Sequence, residues 1–98
     1  MSSAKKTGGK HLRREFVVIN KFGIHARPSA LFVKCANRFT CNILVSMDGE
    51  EVNGKSIMGL MMLAAGPGST LVVTCDGDDC HEALAEIETL IKRKFDEE

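Results

Sequence analysis

Two side chains suited to phosphate chemistry are separated by one residue in the stretch GIHARPSA, residues 23–30. His25 carries an imidazole nitrogen that can act as a nucleophile and form a covalent intermediate. Arg27 carries a guanidinium whose forked N–H groups match the oxygens of a phosphate. Pro28 then opens an apolar run, so both side chains are predicted to lie at the start of a helix.

A helix start is a favourable place to bind a phosphate. The first backbone N–H groups of a helix lack helical partners, and the helix dipole adds partial positive charge there. Pro28 suits this position because the N–H that it lacks would have had no helical partner. We therefore expect the helix to begin near His25 or Ala26, with Ala26, Arg27 and Pro28 around a bound phosphate. The same residues also allow a simpler interpretation, in which His25 is an ordinary cap or surface residue.

The sequence around this motif predicts elements in the order β-α-β-β-α-β-α. The predicted strands are residues 14–20, 40–47, 50–53 and 70–75, and the predicted helices are residues 26–38, residues 56–63 and a last helix whose apolar face runs over residues 83–95. Asp48 and Gly49 indicate a tight hairpin turn between the second and third strands. This order is typical of an α+β domain, in which helices cover one face of a largely antiparallel sheet.

Helical periodicity predicts which side chains of the helices face the core. In the first helix, Phe32, Val33 and Ala36 form the apolar stripe. Ser29 and Lys34 are predicted to fall off this stripe and to be solvated. In the last helix, the apolar face is formed by six residues, Ala83, Leu84, Ile87, Leu90, Ile91 and Phe95.

The length of 98 residues, with 44% hydrophobic and 27% charged residues, suits one soluble domain with a modest core. Residues 1–14 hold five basic groups and no acidic group, whereas the rest of the chain holds eight basic and 13 acidic groups. We expect residues 1–13 to form a basic, disordered leader and residues 14–98 to form the domain. A short basic tail can also bind nucleic acid or an acidic partner, but the Ser, Gly and Lys content favours a solvated leader.

The sequence predicts no membrane-spanning helix, no metal site and no cofactor. No apolar run approaches the roughly 20 residues that a membrane-spanning helix needs. The opening MSSAKKTGGK is not a signal peptide, so we expect a cytoplasmic protein. The four cysteines lack the spacing of zinc ligands and are expected to be reduced, packed thiols. A redox or metal module that uses Cys75, Cys80 and His81 is the alternative.

A second motif, VNGKSIMGL at residues 52–60, begins 29 residues after the start of the first motif. In this order and at this spacing, the two motifs resemble HPr, the family of histidine-containing phosphocarriers of the bacterial phosphoenolpyruvate-dependent phosphotransferase system. The likeness runs from Arg14 to Phe95. It implies an HPr-like open-faced β-sandwich, in which three helices cover one face of a four-stranded antiparallel sheet.

The resemblance implies a role for each part of the first motif. His25 accepts a phosphoryl group on Nδ1 from phosphorylated enzyme I and passes it to the IIA domains of sugar transporters, while Arg27 holds and orients the phosphate. Such a protein is a carrier with a phosphohistidine intermediate rather than a free-standing enzyme, and it needs no cofactor. A closely similar carrier serves the nitrogen-related branch of the same system, so that branch is an alternative.

The second motif contains an expected regulatory site at Ser56. In many members of the family, an HPr kinase/phosphorylase phosphorylates the serine that Ser56 resembles. Serine is also a favoured N-cap, and capping alone would account for it. A regulatory module that is marked at Ser56 and docks on a transcription regulator is a further alternative, but relatives of that kind lack the active histidine.

Partner contacts are expected beside the histidine. The residues expected to bind partners are Ala26, Lys34, Ile57, Met58 and Met61, and Lys34 is expected to steer acidic partners unless it only lies on a solvated helix face. Leu60 and Leu63 are expected to point into the core instead. Gly59 departs from members that carry a lysine at this position, which leaves the set of partners open.

Overall fold

A computed structural model describes residues 10–97. This range contains four strands and three α-helices in the predicted order. The strands are β1 (His11–Val17), β2 (Asn42–Met47), β3 (Glu50–Asn53) and β4 (Thr70–Asp76), and the helices are α1 (Ala26–Ala36), α2 (Ile57–Leu63) and α3 (Cys80–Lys92). Within the described range, no helix has the length and apolar character needed to cross a membrane.

The four strands form one antiparallel sheet in the order β1-β4-β2-β3. Ile43 lies opposite Cys75 and Val45 lies opposite Val73, so these four side chains share one face of the sheet. All four are buried, and they join the buried sides of the three helices in a single hydrophobic core. The open-faced β-sandwich implied by the resemblance is therefore confirmed.

The hairpin between β2 and β3 turns at Asp48 and Gly49, as predicted. Both residues have positive φ values, 53° and 86°. Two consecutive positive φ values are typical of the two-residue turn whose twist matches the strands that it joins. Met47 consequently pairs with Glu50 directly beside the turn.

The first strand begins and ends three residues earlier than predicted, at His11–Val17 instead of residues 14–20. Pairing with β4 explains the early start, because the first residue of β1 lies opposite Asp76 at the end of β4. Backbone hydrogen bonding continues one residue past β1, since the N–H of Val18 donates to the carbonyl oxygen of Ser69 and its carbonyl oxygen accepts the N–H of Gly68, both at 2.8 Å.

The shift of β1 changes the boundary of the basic leader. Residues 11–13 were predicted to lie in the leader, and they form part of the sheet instead. Residues 1–9 of the predicted leader lie outside the part of the chain that the structure describes.

The segment between α1 and β2 is longer than predicted, because α1 ends at Ala36 and β2 begins at Asn42. The carboxylate of Asp79 explains the late start of β2. It accepts the backbone N–H of Thr40 at 2.8 Å and that of Cys41 at 2.9 Å. The bond from Thr40 is the main cause that lowers the pKa of Asp79. These two bonds join the beginning of α3 to the approach to β2.

Ser29 is fully buried, so the prediction that it is solvated was wrong. Its spacing from Phe32, Val33 and Ala36 is i, i+3, i+4 and i+7, which places all four residues on the core side of α1. Within residues 10–97, the hydroxyl of Ser29 has no hydrogen-bond partner. Lys34 is exposed, as predicted.

Phe95 reaches the core in a conformation that differs from the predicted helix. Helix α3 ends at Lys92, and Lys94, Phe95 and Asp96 then have left-handed backbone with φ values of 57°, 56° and 61°. This segment, Lys94–Asp96, is named the C-terminal turn below. The burial of Phe95 was predicted correctly, since only 1% of it is exposed. Its backbone could not be predicted, because L-residues rarely adopt this conformation in succession.

Candidate functional site

The helix α1 begins at Ala26, as predicted, and His25 occupies its N-cap. Its backbone is extended, and its carbonyl oxygen accepts the N–H of Ser29 at 2.9 Å. The N–H groups of Ala26 and Arg27 come before this bond and have no acceptor inside the helix. The side chain of His25 makes no capping hydrogen bond within residues 10–97, and it is 42% exposed, so another molecule can reach the ring.

The loop that presents His25 is held by Asn20 and Gly23. The buried side chain of Asn20 donates through Nδ2 to the carbonyl oxygen of Gly23 at 2.7 Å. Gly23 has a φ of 72°, and any side chain there would collide with the carbonyl oxygen of Ala65. Glycine is therefore required at this position, and the loop sets the point at which α1 begins.

Arg27 borders a shallow cavity of about 450 Å³, which is lined by Lys21, Phe22, Arg27, Asp96 and Glu97. Within the described residues, its guanidinium makes no hydrogen bond or ion pair, so its donors are available to a ligand. Phe22 is 67% exposed and meets the His25 ring edge-on, with the ring centroids 6.2 Å apart. The cavity thus combines two cations, two acidic residues and an exposed aromatic ring that contacts the histidine.

Glu97 also contacts His25, although 72 residues separate them in the chain. Its Oε2 lies 2.8 Å from Nε2 of His25, and its Oε1 accepts from Nδ2 of Asn20 at 2.9 Å. The hydrogen bond from Asn20, followed by that with His25, lowers the pKa of Glu97. The sequence analysis missed Glu97 and Asn20, because neither belongs to a local motif and only the folded chain brings them together.

Ser56 is the N-cap of α2, as predicted. Its Oγ accepts the N–H of Gly59 at 3.0 Å, and its carbonyl oxygen accepts the N–H of Leu60 at 3.1 Å. A serine in this role stabilises a helix by about 0.5–2 kcal/mol relative to alanine. Capping alone thus accounts for the conformation of Ser56, whether or not the residue is also phosphorylated.

The outer side of α2 is a cluster of exposed apolar side chains, named the methionine patch and formed by Ile57, Met58, Met61 and Met62. Met58 is the most exposed of them, at 70%. Leu60 and Leu63 are buried, as predicted. Helix α2 packs against α1, the helix that begins after His25, so the patch and the histidine lie on adjoining helices.

The comparison with known families agrees with this arrangement. A family model described as "PTS HPr component phosphorylation site" matches residues 12–93. This chain belongs to the HPr family. The family resemblance stated from the two motifs is thereby confirmed, and membership makes the chain a phosphocarrier of the bacterial phosphotransferase system.

Individual relatives cover most of the chain. The HPr of Cupriavidus necator is 45% identical over 86 residues, which cover 88% of this chain and 97% of the relative. The HPr-like protein Crh of Halalkalibacterium halodurans is 50% identical over 74 residues, which cover 76% and 88%. The crystal structure of HPr-C-His from Thermoanaerobacter tengcongensis has a TM-score of 0.86 at 42% identity and covers 89% of this chain and 98% of that one.

The HPr fold brings some of the predicted partner-binding residues together and separates one from them. Ile57, Met58 and Met61 share the methionine patch, and Ala26 is exposed in the first turn of α1. Lys34 instead lines a cleft of about 200 Å³ between α1 and α3. Any contact through Lys34 would therefore use a different side of the molecule from the patch.

The cysteines offer little support for a redox or metal module. All four are buried, whereas His81 is exposed on α3. Burial raises the pKa of Cys41 to about 12 and that of Cys75 to about 11, which keeps both thiols protonated near neutral pH. Residues 10–97 contain no group of three histidine, cysteine or acidic side chains arranged to hold a metal ion.

Proposed function

We propose that this HPr-family protein carries a phosphoryl group on His25, receives it from phosphorylated enzyme I and passes it to IIA domains of sugar transporters. The observation that carries the proposal is the position of His25, a partly exposed imidazole at the N-cap of α1, two residues before Arg27. Family membership supports the carrier role. The assignment of His25 as the carrier residue, of enzyme I as the donor and of IIA domains as the recipients is our proposal.

The start of α1 offers the groups that a phosphoryl group on His25 requires. The N–H groups of Ala26 and Arg27 and the Arg27 guanidinium can each donate to its oxygens, and one such charge-assisted bond contributes about 1.5–3 kcal/mol. The helix terminus adds roughly 0.3–1 kcal/mol. Pro28 is buried and has no N–H, so it shapes the helix start without donating. The exposed side of His25 leaves the phosphorus atom open to attack by a second protein.

The methionine patch is the proposed docking surface for enzyme I and for the recipients. Its exposed apolar side chains lose unfavourable contact with water when a partner covers them. Methionine side chains are flexible and polarizable, so one surface can fit several partners. Ala26 would be covered with the patch, and Lys34 would attract acidic groups at its own side of α1.

Ser56 is the proposed regulatory site, and we propose that an HPr kinase/phosphorylase phosphorylates it. The proposed partner of the protein phosphorylated on Ser56 is a transcription regulator. A phosphate adds about −1.5 to −2 charges at neutral pH. At the N-cap of α2 it would stand at the edge of the methionine patch and repel an acidic partner surface. The cytoplasmic location expected from the sequence remains a prediction.

Two alternatives predict different recipients. A carrier of the nitrogen-related branch would use the same histidine chemistry with another IIA domain. A purely regulatory module would need no phosphate on a histidine, and the partly exposed His25 at the helix start, two residues before Arg27, argues against that role.

Onward transfer from the loaded protein tests the proposal. The protein is phosphorylated with phosphoenolpyruvate and enzyme I, purified and mixed with IIA domains of the sugar or the nitrogen-related branch. We expect the wild type and the His81→Ala control, which alters an exposed histidine of α3, to phosphorylate a sugar IIA domain. His25→Ala should transfer nothing, and equal transfer by this variant would refute His25 as the carrier residue. Transfer to the nitrogen-branch domain alone would assign the protein to that branch.

A further inference from the structure

Asn20 and Glu97 form a continuous chain of hydrogen bonds to the ring of His25, and Glu97 lies 72 residues further along the sequence than His25. Asn20, only 1% exposed, donates from Nδ2 to Oε1 of Glu97 at 2.9 Å. The other carboxylate oxygen of Glu97, Oε2, lies 2.8 Å from Nε2 of His25. The side chain of Glu97 is 14% exposed, so this carboxylate is largely shielded from water.

The C-terminal turn delivers Glu97 to this position by a backbone that L-residues disfavour. Phe95 anchors the turn in the core. Arg93 holds Asp96 through two hydrogen bonds of 3.0 Å, from Nε and Nη2 to the two carboxylate oxygens. A strained turn that is fixed on both sides places Glu97 against the ring, and such strain often accompanies function.

The contact determines which ring nitrogen is available for chemistry. An ionised carboxylate only accepts hydrogen bonds, so the nitrogen that faces Glu97 must carry a proton. In a neutral imidazole, the other nitrogen then has a free lone pair. With Nε2 bound to Glu97, the nucleophilic nitrogen of His25 is Nδ1.

We propose that Glu97, oriented by Asn20, is a positioning residue for phosphoryl transfer, which holds His25 with its proton on Nε2 and its lone pair on Nδ1. This inference rests on the proposed function. It goes beyond it by assigning a role to an acidic side chain at the opposite end of the chain.

The proton stays on Nε2 throughout the transfer step. The lone pair of Nδ1 attacks phosphorus, the N–P bond forms, and the bond between phosphorus and the donor breaks with its electron pair remaining on the donor. Both ring nitrogens then carry a substituent, so the ring is positively charged. The carboxylate of Glu97 stabilises that charge, and onward transfer returns the ring to the neutral form with the lone pair on Nδ1.

The charges around the ring are consistent with this role. Lys21 from the preceding loop, Arg27 from α1, and Asp96 and Glu97 from the end of the chain line the adjoining cavity. The two nitrogens point to opposite sides of an imidazole. A phosphoryl group on Nδ1 therefore lies across the ring from the Glu97 carboxylate, where repulsion between the two anionic groups is smallest.

Two measurements on the full-length protein test the inference, with Glu97→Gln as the main variant, Glu97→Asp as the charge-retaining variant and Glu82→Gln as the control. Glu82 is an exposed acid in the first turn of α3. Nitrogen-15 NMR of the His25 ring reports the tautomer without any phosphorylation. The rate of phosphoryl uptake from enzyme I, measured across pH, reports the consequence for the reaction.

We expect the Nε2–H tautomer to predominate in the wild type and in Glu82→Gln, and both tautomers to be populated in Glu97→Gln. Uptake by Glu97→Gln should be roughly 10-fold slower with an altered pH profile, and Glu97→Asp should recover part of the rate. A wild-type tautomer and wild-type rate in Glu97→Gln would overturn the inference alone. Absence of uptake by the wild type itself would overturn the proposed function, and the inference with it.

Discussion

The backbone N–H of Ile24 donates to the carbonyl oxygen of Ala65 over 2.8 Å, and this bond joins the first sequence motif to the segment that follows α2. Ile24 immediately precedes His25, and Ala65 follows the helix that carries the methionine patch. Both residues are buried, so the bond is protected from water. The loop that presents the histidine and the proposed docking helix are thus held in a fixed relation, which a transfer between docked proteins requires.

Replacement of Arg27 by alanine is expected to slow phosphorylation of His25 by about 10-fold to 100-fold. The loss of one charge-assisted hydrogen bond to the transferred group removes about 1.5–3 kcal/mol, and about 1.4 kcal/mol corresponds to a tenfold change in rate. Steady-state kinetics with the variant as the substrate of enzyme I give kcat/KM. Arg13→Ala is the matched control, since Arg13 is exposed on the sheet face that the helices leave uncovered. Equal kcat/KM values for the two variants would show that Arg27 does not contribute to phosphorylation of His25.

Substitution of Met58 by serine is expected to raise the KM for enzyme I by about 5-fold to 10-fold without changing kcat. The side chain is 70% exposed, so the change removes partner contact while leaving the core intact. Leu44→Ser provides the control, because Leu44 is a partly exposed apolar residue on the sheet. The docking surface would be wrongly assigned if both variants had the same KM.

Two substitutions at Ser56 separate its capping role from its proposed regulatory role. Ser56→Ala should lower the free energy of unfolding by about 1 kcal/mol, because the N–H of Gly59 loses its acceptor, and should leave transfer nearly unchanged. Ser56→Asp keeps an N-cap and adds charge, so it should retain stability and slow transfer from enzyme I. Urea denaturation and transfer kinetics measure the two effects. An unchanged rate in Ser56→Asp counts against regulation here, although aspartate carries less charge than phosphate.

Asp79→Asn is expected to lower stability at neutral pH by an amount that shrinks in acid. Hydrogen bonds from Thr40 and Cys41 lower the pKa of Asp79 below its usual value of 3.8. A group whose pKa is lowered by folding stabilises the protein above its unfolded pKa, and this contribution is lost as the pH falls through the folded pKa. Urea denaturation at about pH 7 and about pH 3 compares the variant with the wild type. A difference of the same size at both values would contradict this role of Asp79.

The parts of the fold that were predicted correctly have local causes. The start of α1 and the N-cap position of Ser56 follow from the residues beside them, and the hairpin follows from Asp48 and Gly49. The burial of Leu60 follows from helical spacing. Ser29 was within reach of the same reasoning, because its spacing from Phe32 and Val33 is helical, but its polar side chain led to the wrong prediction.

The parts of the site that were missed depend on contacts between distant segments. Glu97 meets His25 only after the C-terminal turn has anchored Phe95 in the core, and no glycine or asparagine marks that left-handed turn in the sequence. In the sequence, Asn20 resembles an ordinary loop residue, because its hydrogen bonds to Gly23 and Glu97 are known only from the fold. Likewise, Asp79 interrupts the predicted second strand from a position 38 residues beyond Cys41.

The most direct test of the central claim is phosphorylation of the purified protein with phosphoenolpyruvate and enzyme I, followed by intact mass and by stability in acid. We predict one added phosphoryl group that is lost in acid, as expected for a phosphorus–nitrogen bond. The group should be present in His81→Ala and absent from His25→Ala. An acid-stable phosphate, or no uptake by the folded wild type beside an active enzyme I control, would contradict the assignment of His25 as the carrier residue.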